Sequence, residues 1–113
     1  MKQMFKEVKG TLPISGDGYD AEIIMQIKAA ALDLTTSTEI VLPGVISISR
    51  SDQGVVTDNS TVTDELITTA IAVWCQMRIG NPPNYDNLLK AYESLKGQMR
   101  LSRQYNGSAV TTE

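Results

Sequence analysis

The chain has 113 residues, of which 42% are hydrophobic and 20% charged, and its formal net charge is −3. This length suffices for one domain with one core, and the composition is that of a globular chain rather than a disordered one. A single cysteine, Cys75, and the absence of histidine exclude an internal disulfide, the usual zinc sites and the Ser-His and Cys-His nucleophile pairs.

Nothing in the sequence indicates export or a membrane span. The longest apolar run covers residues 70–75, far fewer than a bilayer requires. The first ten residues, MKQMFKEVKG, lack the apolar segment of a signal peptide. We therefore expect a reducing, cytoplasmic setting and no contact with a membrane.

Two helices are predicted in the N-terminal third. The first covers residues 1–9, and glycine and proline between residues 10 and 18 end it. The second runs from about Tyr19 to Leu34, with Asp17 as a candidate N-cap. Both have apolar residues at the spacing of a core-facing side. These are Met4, Phe5 and Val8 in the first helix, and Ile23, Ile24, Ile27, Ala30, Ala31 and Leu34 in the second.

The polar segment that follows interrupts the helical pattern. Residues 35–63 are rich in Thr, Ser, Asp and Gly, and their apolar residues are mostly β-branched. Residues 45–49 and 55–57 flank a turn-forming RSDQG sequence, which predicts a β-hairpin or a long ordered loop. Residues 39–62 are therefore interpreted as an insertion between the second and third helices.

A helical hairpin is predicted in the C-terminal half. Thr63 can cap a third helix that ends at Gly80, and Asn84 can cap a fourth that continues to about Tyr105. The short Asn-Pro-Pro-Asn turn makes these helices antiparallel neighbours. The core-facing residues are expected to be Leu66, Ile67, Ala70, Ile71, Trp74 and either Met77 or Arg78 in the third helix, and Tyr85, Leu88, Leu89, Tyr92, Leu95 and Met99 in the fourth.

The predicted fold is mainly α, a small bundle of about four helices with a loop or β-hairpin insertion. Residues 1–106 are expected to form one domain and residues 107–113 a flexible C-terminal tail. The core should join residues from the second, third and fourth helices. They are Ile23, Ile27, Ala30, Leu34, Leu66, Ala70, Ile71, Trp74, Leu88, Leu89, Tyr92 and Leu95.

The fourth predicted helix carries a second distinctive side. Gly97 lies in its middle, where glycine costs about 1 kcal/mol relative to alanine. Small and apolar residues around it would let another helix approach closely. We call this set the glycine seam: Ala91, Ser94, Gly97, Leu101 and Tyr105, with Arg100 and Arg103 beside it. We predict that it contacts a neighbouring subunit or another protein; burial on two sides within one subunit is the alternative.

The charges are distributed unevenly along the chain. Residues 11–65 hold nine acidic and two basic side chains, whereas residues 78–103 hold five basic and two acidic ones. Opposite halves would suit self-association, because one subunit's acidic part could meet its neighbour's basic part. Solvated faces that merely differ in charge are the alternative.

No cluster of residues predicts catalysis or cofactor binding. Acidic residues at the predicted helix starts suit N-capping and the helix dipole. The SGDG sequence at residues 15–18 lacks the lysine of a phosphate-binding loop and is interpreted as a turn. Cys75 lies in an apolar stripe and is expected to be an inert packing residue. We therefore expect a non-enzymatic protein with no metal and no cofactor.

Residues 67–106 resemble the C-terminal helical hairpin of the head-tail connector (adaptor) proteins of long-tailed phages. There, a helix containing Ala-Ile ends at Gly-Asn-Pro, and a Tyr-centred helix with Leu-Lys and Gln-apolar-Arg-apolar follows. The matching residues are Ala70, Ile71, Gly80, Asn81, Pro82, Tyr85, Leu88, Tyr92, Leu95, Lys96, Gln98, Met99, Arg100 and Leu101. Asp20, Ile23, Ile24 and residues 29–38 resemble the family's first long helix and its exit. Ile79 departs from the pattern, because the family more often has Tyr or Phe there.

This resemblance implies a structural protein of the phage neck, present in the virion and, before assembly, in the host cytoplasm. Such proteins form a ring, typically dodecameric, that docks beneath the portal after DNA packaging. The ring extends the DNA channel without binding DNA specifically and offers a platform to stopper or tail-completion proteins. A small helical DNA-binding regulator is the alternative, in which Lys90, Lys96, Arg100 and Arg103 would contact phosphates. The overall acidic balance and the Pro-Pro turn argue against it.

Overall fold

The computed structural model describes residues 4–12, 14, 16, 18–37, 41–62, 64–79 and 82–101. In chain order it contains α1 (Met4–Gly10), α2 (Asp20–Ser37), β1 (Ile48–Arg50), β2 (Val56–Asp58), α3 (Glu65–Arg78) and α4 (Tyr85–Leu101). The predicted architecture, four helices with a hairpin between the second and third, is confirmed. Several predicted features lie outside the described residues: the caps at Asp17 and Thr63, the helix end at Gly80, and the tail at 107–113.

Helix α3 is the centre of the fold, since α1, α2 and α4 all pack against it. Half of its residues are buried, and they cover most of its circumference. Its first turn is capped by Asp64, whose carboxylate accepts hydrogen bonds from the backbone amides of Leu66 and Ile67 at 2.9 and 3.1 Å. The N-cap position thus belongs to Asp64, one residue after the predicted Thr63. The buried residues of α3 are Ile67, Thr68, Ala70, Ile71, Ala72, Cys75 and Met77.

Helix α2 lies against α3 and is longer than predicted, because it continues past Leu34 to Ser37. The hydroxyl groups of Thr35 and Thr36 both donate hydrogen bonds to the Leu32 carbonyl, at 3.0 and 2.8 Å. Threonines that bond back to the preceding turn are compatible with a helical backbone. The predicted core-facing side is confirmed at Ile23, Ile24, Ile27, Ala30 and Leu34, all of which are buried.

The insertion between α2 and α3 is an antiparallel hairpin, with Ile48 opposite Asp58 and Arg50 opposite Val56. Its first strand begins three residues later than the β-branched pattern predicted. Between Val45 and Ile48 the pairing continues only irregularly, through amides of the opposite segment that donate to the carbonyls of Val45 and Ser47. Ile48 and Val62 are buried, so the hairpin is attached to the core.

Two polar contacts hold α1 against the rest of the chain. The Phe5 amide in the first turn of α1 donates a hydrogen bond to the Asp58 carboxylate on β2, at 2.8 Å. At the other end of α1, the Lys9 ammonium forms an ion pair with the Asp20 carboxylate of α2, at 2.6 Å. Together they fix α1 between the hairpin and the start of α2.

Helix α4 buries less than the sequence predicted. Its buried residues are Tyr92, Lys96 and Met99, while Leu88 and Leu95 are half-buried. Leu89, predicted for the core, is 38% exposed, and Tyr85 is also exposed. Both predictions are wrong, because α4 packs mainly on α3 and buries only a narrow side. Trp74 and Leu66 of α3 are likewise half-buried and pack against the edge of the core.

We expect Ile27→Ala to destabilise the protein by about 2–5 kcal/mol, because it leaves a cavity at a fully buried position of α2. The matched control is Leu32→Ala in the same helix, which should change the free energy of unfolding by less than about 0.5 kcal/mol because Leu32 is exposed. Denaturant unfolding measures both. Equal effects would contradict the assignment of these two sides of α2.

Candidate assembly surfaces

The glycine seam lies on the side of α4 opposite its buried residues. Ala91 and Ser94 are exposed, and Leu101 is 88% exposed. Apart from its chain neighbours and the nearby helix backbone, no described atom lies within 4 Å of the position that a Cβ on Gly97 would occupy. No close approach by another described residue therefore requires glycine at this position. Arg100 is exposed beside the seam, and Arg103 and Tyr105 lie outside the described residues.

A polar cluster joins the inner side of α4 to α2. The Tyr92 hydroxyl donates a hydrogen bond to the Asp33 carboxylate, at 2.6 Å. The buried Lys96 ammonium lies 3.4 Å from the same carboxylate oxygen, 3.3 Å from the Ser37 hydroxyl and 3.3 Å from the Glu93 carboxylate. Burial, followed by the hydrogen bond and negative charge of Asp33, raises the pKa of Tyr92 well above its ordinary value of 10.0.

Trp74 extends this cluster along the junction of α2, α3 and α4. Its indole N–H donates a hydrogen bond to the Gln26 side chain of α2, at 3.0 Å. Its ring lies 5.4 Å from the Tyr92 ring, with the two planes tilted by 58°. The Arg78 guanidinium covers the indole face at 4.3 Å from its centroid. These contacts orient α4, and with it the glycine seam, relative to α2 and α3.

Part of the charge contrast between the two halves is paired inside the fold. Asp20 pairs with Lys9 of α1, and Asp33 binds Tyr92 and Lys96 of α4. Asp58 and Asp64 accept hydrogen bonds from backbone amides of α1 and α3.

In the basic half, Lys96 is buried in ion pairs with Asp33 and Glu93. Arg78, Lys90 and Arg100 stay exposed. The meeting of an acidic half with a basic half stays a prediction.

The sequence analysis missed two features of these surfaces. Lys96 lies at i+4 from Tyr92, but nothing in the sequence indicated that its partner would be Asp33 on another helix. Met25 and Leu32 lie on the outer side of α2 and are 59% and 64% exposed. Their spacing of seven residues could have indicated a second apolar side, because it places them two turns apart on one side of the helix.

Among the described residues, no three Asp, Glu or Cys side chains form a group that could hold a metal ion. In the same part of the chain, no helix has both the length and the apolar character needed to cross a bilayer. The described buried side-chain nitrogen and oxygen atoms all have hydrogen-bond partners.

A comparison with families of known proteins bears on what these surfaces contact. The family described as phage connector protein matches residues 4–106, nearly the whole chain. The chain belongs to the phage connector family. No curated protein and no solved structure matches it. Membership confirms the resemblance seen in the sequence, and it supports a structural role in the phage neck and a place in the virion.

We expect the free energy of unfolding of this connector protein to fall less steeply at high pH in the Tyr92→Phe variant than in the wild type. The folded state holds the Tyr92 proton more tightly than the unfolded state does. The stabilisation that results is complete below about pH 10 and is lost as the pH rises further. Each pH unit above 10 should cost about 1.4 kcal/mol in the wild type. Urea unfolding at several pH values above 10 measures this slope, and an unchanged slope in the variant would contradict the cluster's role.

Cys75 provides a matched comparison, because burial raises the pKa of its thiol from 9.0 to about 12. The protonated Cys75 thiol also stabilises the folded state, and this stabilisation starts to disappear near pH 9. Cys75→Ala should therefore remove the part of the slope that begins about one pH unit below the Tyr92 part.

Proposed function

We propose that this phage connector protein forms a closed ring, dodecameric when assembled, that docks on the portal after the head is filled with DNA. The ring extends the DNA channel and provides a platform for a stopper or tail-completion protein. The observation that carries the proposal is the glycine seam, a helix side with an open glycine and an almost fully exposed leucine in a chain of the phage connector family.

The seam supports an assembly role because none of the other described residues packs against Gly97. A mid-helix glycine lowers helix stability, and no contact within the described part of the chain offsets that cost. Leu101 exposes most of its apolar surface, which contact with another chain would remove from water. In the proposed neck the seam contacts a neighbouring subunit or the portal, with Arg100 at its edge.

A channel for DNA requires a lumen that does not hold the phosphate backbone tightly. The net charge of −3 and the internal pairing of Lys96 leave the chain without a strong basic surface among its described residues. DNA is therefore expected to pass through the ring without specific binding. The same observation argues against the DNA-binding regulator. Lys96, one of its four proposed phosphate contacts, is buried. The exposed basic residues of α4 lie on the same helix as the exposed acidic residues Asp86 and Glu93.

We expect Gly97→Leu to fold normally and to block ring formation or portal docking. The substituted side chain meets no intrachain atom near its Cβ and increases helix propensity, but it fills the gap through which another chain would approach. The measurements are thermal unfolding, sedimentation of the purified protein, and tail attachment to DNA-filled heads in the phage that encodes the chain.

Gly97→Ala is the matched control, because it supplies most of the gain in helix propensity with a single methyl group. It should be more stable than the wild type by up to about 1 kcal/mol and should attach tails. A folded Gly97→Leu protein that attaches tails as efficiently as Gly97→Ala would show that the seam is not an interface.

A further inference from the structure

The outer side of α2 is an apolar ridge that none of the described residues covers. We call Ala21, Met25, Lys28 and Leu32 the α2 outer face. Met25 and Leu32 are its two large apolar residues, and Lys28 between them is its single charge. An open groove of about 320 Å³ adjoins it, where Leu42 and Ile46 from the segment before β1 lie beside Leu32. Single exposed apolar residues are ordinary on protein surfaces, but two on one ridge beside a groove form a patch.

A groove that could accept such a ridge lies between α1 and α3. This α1–α3 groove, of about 240 Å³, is lined along α3 by Thr69, Ala72, Val73 and Gln76, whose modest size leaves room for the ridge of another helix. Acidic side chains from both helices, Glu7 on α1 and Glu65 on α3, also line it, and none of the described residues that line it is basic. The exposed Glu7 carboxylate is opposite in charge to Lys28 on the α2 outer face.

The two surfaces face in opposite directions. Trp74 lies on the side of α3 that faces α2, as its hydrogen bond to Gln26 shows. Glu65 is nine residues earlier, which at 3.6 residues per turn places it on the other side of α3. The α2 outer face points away from α3, since the buried side of α2 packs on that helix. A subunit with complementary surfaces on opposite sides can make the same contact repeatedly, and such a contact closes into a ring when the rotation allows.

We propose that the α2 outer face of one copy packs into the α1–α3 groove of the next, with Lys28 near the partner's Glu7. This inference rests on the ring of the proposed function and identifies the surfaces that form its repeated contact. Met25 and Leu32 supply the apolar burial, while the exposed charges contribute mainly to register. The proposed function gives the glycine seam two possible contacts, a neighbouring subunit or the portal. This inference assigns the subunit contact to the α2 outer face and leaves the portal to the seam.

Directed cross-linking tests the contact. A chain carrying both Leu32→Cys and Thr69→Cys should give a ladder of multimers with a short bis-maleimide, because each copy then offers one thiol to each neighbour. Either substitution alone should give little product. Native Cys75 does not compete, since it is fully buried and its thiolate is disfavoured. The control pairs Leu32→Cys with Ser94→Cys on the glycine seam and should give no ladder.

A charge exchange tests the predicted register. Lys28→Glu and Glu7→Lys should each weaken association about fivefold, the scale of one exposed ion pair, and the double variant should recover most of the loss. Lys90→Glu makes the same substitution at an exposed position of α4 and should leave subunit association unchanged. Sedimentation of the purified chains at several concentrations measures these effects.

The outcomes separate this inference from the proposed function. Cross-linking is carried out on concentrated purified protein and on tailed particles complemented with each variant, and native mass spectrometry records whether rings form. A ladder from the Leu32–Thr69 pair, together with rescue by the double charge variant, supports the contact. Rings without such a ladder overturn the contact and leave the ring standing. A wild-type chain that forms no ring, alone or on portal particles, overturns both.

Discussion

The burial of α3 on three sides is the constraint on which the rest of the structure depends. A chain of 113 residues can build only one small core, and here that core is arranged around a single helix. Ile67 and Ile71 fill the space around α3, while Ala70 and Ala72 permit close approach of its neighbours. Helices α2 and α4 therefore each have an inner side fixed by α3 and an outer side that no described element covers. In the proposed ring, these outer sides supply the contact surfaces.

Polar contacts to α2 contribute to the orientation of α4 in addition to its apolar packing on α3. Helix α4 buries only Tyr92, Lys96 and Met99, and two of these three bind Asp33 on α2. Removing one member of such a buried cluster costs more than the net value of its bonds, because the remaining groups stay buried without partners. Changes at Asp33 should therefore affect the position of the glycine seam, although Asp33 lies on another helix. In this fold the polar cluster connects core stability to the geometry of a contact surface.

The positions of the helices and the inner side of α2 could be predicted from the sequence, because apolar residues at helical spacing indicate which side of a helix is buried. The failures concern residues whose environment is set by distant partners. Lys96 is buried because Asp33, 63 residues earlier, neutralises it, and Leu89 is exposed because α4 lies at the edge of the bundle. A count of charges along the chain likewise does not show which of them pair within the fold, as Lys9 does with Asp20. The seam could be predicted from Gly97, whereas the α1–α3 groove arises only when two helices pack.

The size of the exposed faces also bears on when assembly occurs. The α2 outer face offers two large apolar side chains around one lysine, much less than the roughly 800 Å² per partner of a stable pairwise interface. A contact this small should be weak between two free copies, so the purified chain should associate only at high concentration. In the proposed closed ring each subunit makes the contact twice, and docking on a preformed portal would raise the effective concentration of neighbours. Weak lateral faces combined with a separate seam for the portal would thus favour ring formation on the portal over ring formation in solution.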